Sequence, residues 1–328
     1  MTPLSYAQRR MWFINRFDPD SPAYNIPLAV RLTGALDVDA LQSAVFDVLE
    51  RHESLRTIYP DSADGPHQVI LPAAQAPIDV APVKVTETEL REQLVEMVST
   101  GFDVTADVPP IRVRLFEVGP QDYVLALVVH HVSTDGESTA PFVRDVMVAY
   151  ASRAAGREPG FAPLPVQYAD YAIWQRELLG SEDDPDSLIA AQLGFWTKTL
   201  AGVPDLLELP VDRPRPPVQS LRGSRIDFTV DAEVHRGLAA LARRHNASVF
   251  MAVHAAFAVL LSRLSGTEDI AVGTPIAGRG ERELDDVVGM FVNTLALRVQ
   301  VDGRQTFDEI LDRAREADLD RRDPRSCP

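Results

Sequence analysis

The nine residues from Tyr123 to His131, YVLALVVHH, constrain the fold more than any other stretch of this chain. Apolar side chains occupy both parities of the run. As a strand it therefore needs cover on both faces, which makes it a central strand between two layers. A second strand, Ile111 to Val118, precedes it across the turn Gly119-Pro120-Gln121-Asp122. A helix from about Ser138 to Ser152 follows it. A strand buried on both sides and flanked by helices places the chain in the α/β class.

The rest of the chain repeats this alternation. Ser5 and Gln8 form a capping box that opens a helix carrying Met11, Trp12 and Phe13. A strand over Asn25 to Leu32 leads to an amphipathic helix, with Val38, Leu41, Val45, Val48 and Leu49 on one face and Asp37 or Asp39 as its cap. Another helix covers Glu87 to Thr100. The linker-like stretch Ala154 to Pro165 divides the chain into a first domain, 1–160, and a second, 161–328. The second holds helices near Tyr168–Leu178, Leu188–Leu200, Glu233–His245 and Ser248–Leu264, with a last helix from Phe307. Its strands are predicted at Arg225–Val230, Asp269–Thr274 and Gly289–Val301, and the Pro-broken end RRDPRSCP is predicted to fray.

Composition narrows the function. With Asp+Glu 48 against Lys+Arg 32, the chain carries a formal charge of −16, which repels phosphate backbones and disfavours nucleic-acid binding. Its one cysteine, Cys327, leaves no internal disulfide framework and no cysteine-rich metal site. The N-terminus lacks the apolar core of a secretory signal, and no run reaches the ~18 apolar residues of a membrane span. A cytoplasmic protein is the expectation. Arg243, Arg244 and His245 form a small basic cluster on an otherwise acidic chain, read as a solvated face, with docking of a partner protein as the sharper alternative.

The candidate site is His130-His131-Val132-Ser133-Thr134-Asp135-Gly136, at the C-terminal end of the two-face-buried strand. This is where open α/β sheets place ligands. Roughly one chain in a thousand of this composition carries such a cluster by chance. Successive strand residues point to opposite faces, so only one histidine of the pair can face a given cleft. The bland alternative is a satisfied buried pair, with Asp135 capping the next helix. A metal site lacks a third ligand, because no H-E-x-x-H or cysteine partner accompanies the pair.

This cluster resembles the HHxxxDG signature of nonribosomal peptide synthetase condensation domains, within the chloramphenicol-acetyltransferase-like acyltransferases. Four further segments resemble family motifs, in the family's order. Leu4 to Phe13, LSYAQRRMWF, is similar to SxAQxRMWF, and Arg51 to Thr57, RHESLRT, to RHExLRT. Tyr168 to Trp174, YADYAIW, is similar to YxDYAxW, and Val288 to Arg298, VGMFVNTLALR, to GxFVNTxxxR. Glu137 departs from the family, which often has Trp there. The family's later HQDxPFE-like motif is absent, so the resemblance is to a C-terminally truncated domain.

The resemblance implies two acetyltransferase-like lobes in a V, each a mixed sheet flanked by helices, the second incomplete. It implies amide-bond formation between a donor thioester and the α-amine of an acceptor aminoacyl thioester. Both arrive on peptidyl carrier proteins served by an adenylation domain. The opening motif and Val211 to Gly223 resemble the subclass joining an L-configured donor to an L-configured acceptor. No cofactor or metal is bound directly, since phosphopantetheine comes on the carriers, and the chain is a monomeric unit of a larger synthetase. His131 is implied as the channel-facing catalytic residue, with His130 packed behind it. Asp135 is implied as structural, paired with an arginine among Arg51, Arg56 and Arg279, and Gly136 as giving the pantetheine arm close backbone approach. Ser133, Glu137, Trp174, Gly289 and Asn293 are expected to line the channel. Cyclisation domains carry an Asp pair in place of the two histidines and are excluded. Epimerisation domains have a different opening segment. A stand-alone acyl-CoA transferase and a degenerate partner-recruitment module are the remaining alternatives.

Overall fold

A computed structural model describes residues 1–76, 78–217 and 223–320. Part of the Val211–Gly223 stretch and the tail with Cys327 lie outside the described residues. The chain forms two compact units, Met1–Leu178 with Ala277–Val292, and Leu179–Ile276 with Asn293–Pro328. The division falls later than the one expected at residue 160, and 277–292 belongs to the first unit. That return segment packs apolar side chains of Val287, Val288, Met290 and Phe291 into the first unit's core, and this burial outweighs its distance along the chain.

The first unit runs β1 (Thr2–Pro3), α1 (Tyr6–Phe17), β2 (Asn25–Thr33), α2 (Val38–Arg51), β3 (Thr57–Ile58), β4 (His67–Ile70), β5 (Pro82–Lys84), α3 (Glu87–Ser99), β6 (Ile111–Gly119), β7 (Asp122–His130), α4 (Thr139–Ala154) and α5 (Tyr168–Leu179). Its main sheet has the order β2-β7-β6-β5, antiparallel except for the β5–β6 pair. Strand β7 is thus a central strand. Leu127 and Val129 face α2 and α4, against Leu41, Val45, Val48 and Ala149. On the other face Val124 and Ala126 pack with Phe116 and with Leu90 of α3. Each such buried Val or Leu side chain contributes roughly 1.5–3 kcal/mol. A small sheet, β1-β4-β3, lies beside it.

The second unit holds α6 (Leu188–Thr199), α7 (Ala232–Arg244), α8 (Val249–Ser265), β8 (Asp269–Ile276), β9 (Asn293–Gln300) and α9 (Phe307–Asp320). β8 and β9 pair antiparallel, and Ile270 and Val299 pack with Met251 and Ala255 of α8 and with Ile310 and Leu311 of α9. Residues 225–230, expected as a strand, are irregular, with Ile226 and Phe228 exposed. The alternation Ile226-Phe228-Val230 suits a half-buried strand, but among the described residues no neighbour pairs with it. The last expected strand begins at Asn293 rather than Gly289, because 289–292 is held in the first unit's core. Arg243 and Arg244 are exposed at the end of α7, while His245 bonds Asp312 at 2.9 Å.

Gly289 shows why that segment is glycine there: a Cβ would overlap the ring of Tyr168, which fills the space. Gly289→Ala is expected to destabilise the first unit by about 1–3 kcal/mol, the usual cost of overpacking. Urea denaturation followed by tryptophan fluorescence measures it, and an unchanged midpoint would contradict this packing.

Candidate functional site

The two histidines separate as β7 ends. His130 N–H donates to the Pro110 carbonyl and His131 N–H to that of Tyr24, so the backbone of both is held by neighbouring strand ends. His130 is 1% exposed, beside the rings of Tyr24 and Phe102. Its Nδ1 accepts from the Val132 amide at 3.1 Å. Burial, and then the neighbouring His131, pushes its pKa from 6.5 down to about 4, so His130 is neutral at pH 7. His131 is half-buried. Its Nδ1 lies 2.8 Å from the Thr134 carbonyl, which can only accept, so the proton sits on Nδ1. In the neutral ring Nε2 then carries the lone pair, and among the described residues nothing hydrogen-bonds to it.

Asp135 is 0% exposed and is surrounded by donors. Its Oδ1 accepts from the Ser138 amide (2.9 Å), the Ser138 hydroxyl (2.7 Å) and Arg279 Nη2 (3.0 Å). Its Oδ2 accepts from the Phe291 amide at 3.0 Å. Of the three arginines expected as partners, Arg279 is the one that pairs with Asp135. It also donates to the carbonyls of Leu284 and Val287, both at 2.7 Å, and its guanidinium lies 4.0 Å from the Phe291 ring centre. Arg51 pairs instead with Asp145 at 2.7 Å, and Arg56 donates to the Leu49 and Leu71 carbonyls. Both conclude α2 and its following turn rather than reach the histidine loop.

Asp145, which the sequence reading missed, anchors a second network. Burial alone would raise its pKa. Hydrogen bonds from His52, Arg144 and Arg51 override that and hold it down to about 2. Arg144 reaches on to Asp286 at 2.6 Å, so α2, α4 and the 277–292 segment are joined. The only sequence signal was an acid inside the largely apolar run PFVRDVMVAY.

The first four motif segments and the start of the fifth, 288–292, therefore meet in the first unit. Leu4, Met11, Tyr59, Val132, Tyr168 and Phe291 share one apolar cluster. Ser5 Oγ lies 2.7 Å from the Tyr168 hydroxyl, which donates to the Met290 carbonyl. Ser54 donates to the Val288 carbonyl at 2.7 Å. Two residues expected to line open space, Ser133 and Gly289, are buried instead. The Ser133 hydroxyl is buried 2.9 Å from that of Tyr59. Gly289 is buried under Tyr168. Asn293 opens β9 in the second unit, where it accepts from the Thr294 amide. Trp174 is 44% exposed on α5, its ring 6.0 Å from that of Tyr171. Gly136 and Glu137 border an open hollow of about 760 Å³ along α4, with Ala140, Val143 and Met147.

The condensation-domain family model matches residues 1–328. The chain belongs to the condensation-domain family. It is 49% identical over 326 residues to a dimodular nonribosomal peptide synthase of Bacillus subtilis, covering 99% of this chain and 14% of that protein. Among solved structures it is similar to an X-domain in complex with OxyB from teicoplanin biosynthesis, with TM-score 0.91 and 37% identity over 98% of this chain and 70% of that one. It is also similar to a four-domain nonribosomal peptide synthetase bound to AMP and glycine, with TM-score 0.83 and 28% identity over 97% of this chain and 24% of that one. The condensation domain thus spans a small part of the synthetases it matches, and its architecture is that of sheets flanked by helices in the acetyltransferase-like manner.

The depressed pKa of His130 has a consequence for stability. Its folded value lies below its unfolded one, so its contribution is complete above pH 6.5 and is lost as pH falls toward 4. His130→Asn keeps an acceptor for the Val132 amide and removes the titration. The variant is expected to show a flatter fall of Tm between pH 6.5 and 4 than the parent. An equally steep fall in both would contradict the buried neutral imidazole.

Proposed function

We propose that this condensation domain forms an amide bond between a donor acyl thioester and the α-amine of an acceptor aminoacyl thioester, both on carrier proteins, with His131 as the working residue. The observation that carries the reading is the tautomer of His131, with Nδ1–H on the Thr134 carbonyl and the Nε2 lone pair left over. In the reaction the amine nitrogen attacks the thioester carbonyl carbon. The C–N bond forms, the C–S bond breaks, and the pantetheine thiol leaves. A free α-amine has a pKa near 7.7–8.0, so it must first lose a proton to solvent to become the neutral nucleophile. As that amine attacks, its nitrogen becomes positive; Nε2 accepts a proton from this nitrogen and returns it to the departing thiolate. Such assistance is typically worth about 10²–10⁴-fold.

Asp135 and Arg279 touch no substrate in this scheme. They hold the loop that carries the Thr134 carbonyl. His130 packs behind it, and Glu137 edges the hollow along α4. Phosphopantetheine arrives on the carriers, so the domain binds no cofactor of its own. An adenylation domain loads those carriers in a cytoplasmic synthetase of which this chain is a monomeric unit. The opening motif and Val211–Gly223 support an L-configured donor and an L-configured acceptor. A second reading, recruitment of a partner enzyme, is favoured by the likeness to the X-domain solved with OxyB.

Loaded donor and acceptor carriers are the direct test. Formation of dipeptidyl thioester, seen by intact-protein mass spectrometry, is expected with the parent chain. His131→Ala should lower its rate by about 10²–10⁴-fold with Tm nearly unchanged. Absence of product with folded parent protein would favour recruitment, and a parent-like rate in His131→Ala would remove the histidine from the chemistry.

A further inference from the structure

Ser138 sits at the N-cap of α4, a position where serine is favoured because its oxygen accepts from the second or third amide of the helix. It does not do so here. Its backbone is helical, with φ −65° and ψ −17°, and its side chain makes no capping bond. The hydroxyl is turned inward instead. It lies 2.7 Å from Asp135 Oδ1 and 2.8 Å from Arg279 Nη2. Both the amide and the carbonyl of Gly289 are 3.1 Å away.

One hydroxyl has a single proton and two lone pairs. The proton goes to Asp135, the shorter and charge-assisted contact. The lone pairs accept from Arg279 and from the Gly289 amide. Ser138 is 0% exposed, so water cannot replace any of these partners. One oxygen atom thereby joins the histidine loop, the start of α4 and the segment 277–292. A helix cap given up for such a junction is the kind of local departure from rule that functional sites show.

We propose that Ser138 is a positioning residue for His131, acting through Asp135 and Thr134. The Thr134 carbonyl that holds His131 Nδ1–H belongs to the peptide leading into Asp135. Fixing the Asp135 carboxylate fixes that peptide plane, and the plane selects the tautomer that frees Nε2. Without the hydroxyl, Arg279 and the Gly289 amide both lose an acceptor and Asp135 loses its closest donor. The peptide can then rotate, and His131 is released to exchange between tautomers. The kinetic part of this inference rests on the proposed amide-forming function; the structural part does not.

The experiment uses the chain with 15N-labelled histidine, reading the ring nitrogens by long-range proton–nitrogen correlation NMR. His131→Gln assigns the resonance by its disappearance. The parent is expected to show the Nδ1–H tautomer of His131 alone. Ser138→Ala removes the hydroxyl, and Ser138→Cys keeps the site filled with a weak hydrogen-bonding group; circular dichroism establishes which variants fold. Either folded variant is expected to show a mixture of His131 tautomers. On loaded carriers it should lose about 10–100-fold in kcat with KM unchanged, the scale of a small misplacement of a reacting group. A folded variant that retains the single parent tautomer overturns the proposal. A tautomer shift without condensation activity in the parent upholds the positioning role and counts against the amide-forming reading alone.

Discussion

Arg279 and Asp135 form an ion pair with side-chain exposures of 7% and 0%, and the interior of the first unit is arranged around it. Taking two charges out of water costs several kcal/mol each, and their attraction repays this only when further hydrogen bonds satisfy what remains. Both carboxylate oxygens of Asp135 are met, one by the Phe291 amide and the other by Ser138 and Arg279. Arg279 spends Nη1 on two carbonyls of its own segment, while its buried Nε has no partner among the described residues. Such a pair specifies more than it stabilises. Any other position of 277–292 would leave a buried charge without a partner, so the segment has one seat.

Function follows from what that seat fixes. The histidine loop, the start of α4 and the segment 277–292 meet at Asp135, and the Thr134 carbonyl immediately before it sets the proton on His131 Nδ1. The second network, Asp145 with His52, Arg51 and Arg144, braces the same segment from the side of α2 through Asp286. Among the described residues, neither network hydrogen-bonds to Nε2 of His131. The division is between charges spent on geometry and the imidazole of His131 left for chemistry, beside a second imidazole that burial keeps neutral.

Much of this was legible in the sequence, for identifiable reasons. Two-sided apolar patterning over Tyr123–His131 announced the central strand, and the structure buries it beneath α3 on one side and α2 and α4 on the other. The Ser5–Gln8 capping box formed as its spacing required. What was not legible depended on distant partners. Nothing local distinguishes Arg279 from Arg51 as the mate of Asp135, because the choice is made by how 277–292 folds back. Ser133 and Gly289 were expected to line open space, yet Tyr59 and Tyr168 cover them. Residues 225–230 have a strand's alternation without a strand's neighbour, and alternation alone does not supply one. Ser138 was hidden for the opposite reason, since a serine before a helix has an ordinary use as a cap that it does not serve here.

The central claim is that Asp135 and Arg279 act as a coupled pair that seats the 277–292 segment. A double-mutant cycle by urea denaturation measures it, using Asp135→Asn, Arg279→Met and the combination. Each single change leaves a buried group without its partner, whereas the double change removes both needs. The account predicts a coupling of about 1–3 kcal/mol, with the double variant far less destabilised than the two single losses added together. Additive losses would contradict it, because Asp135 and Arg279 would then be seated independently and the segment held by packing alone.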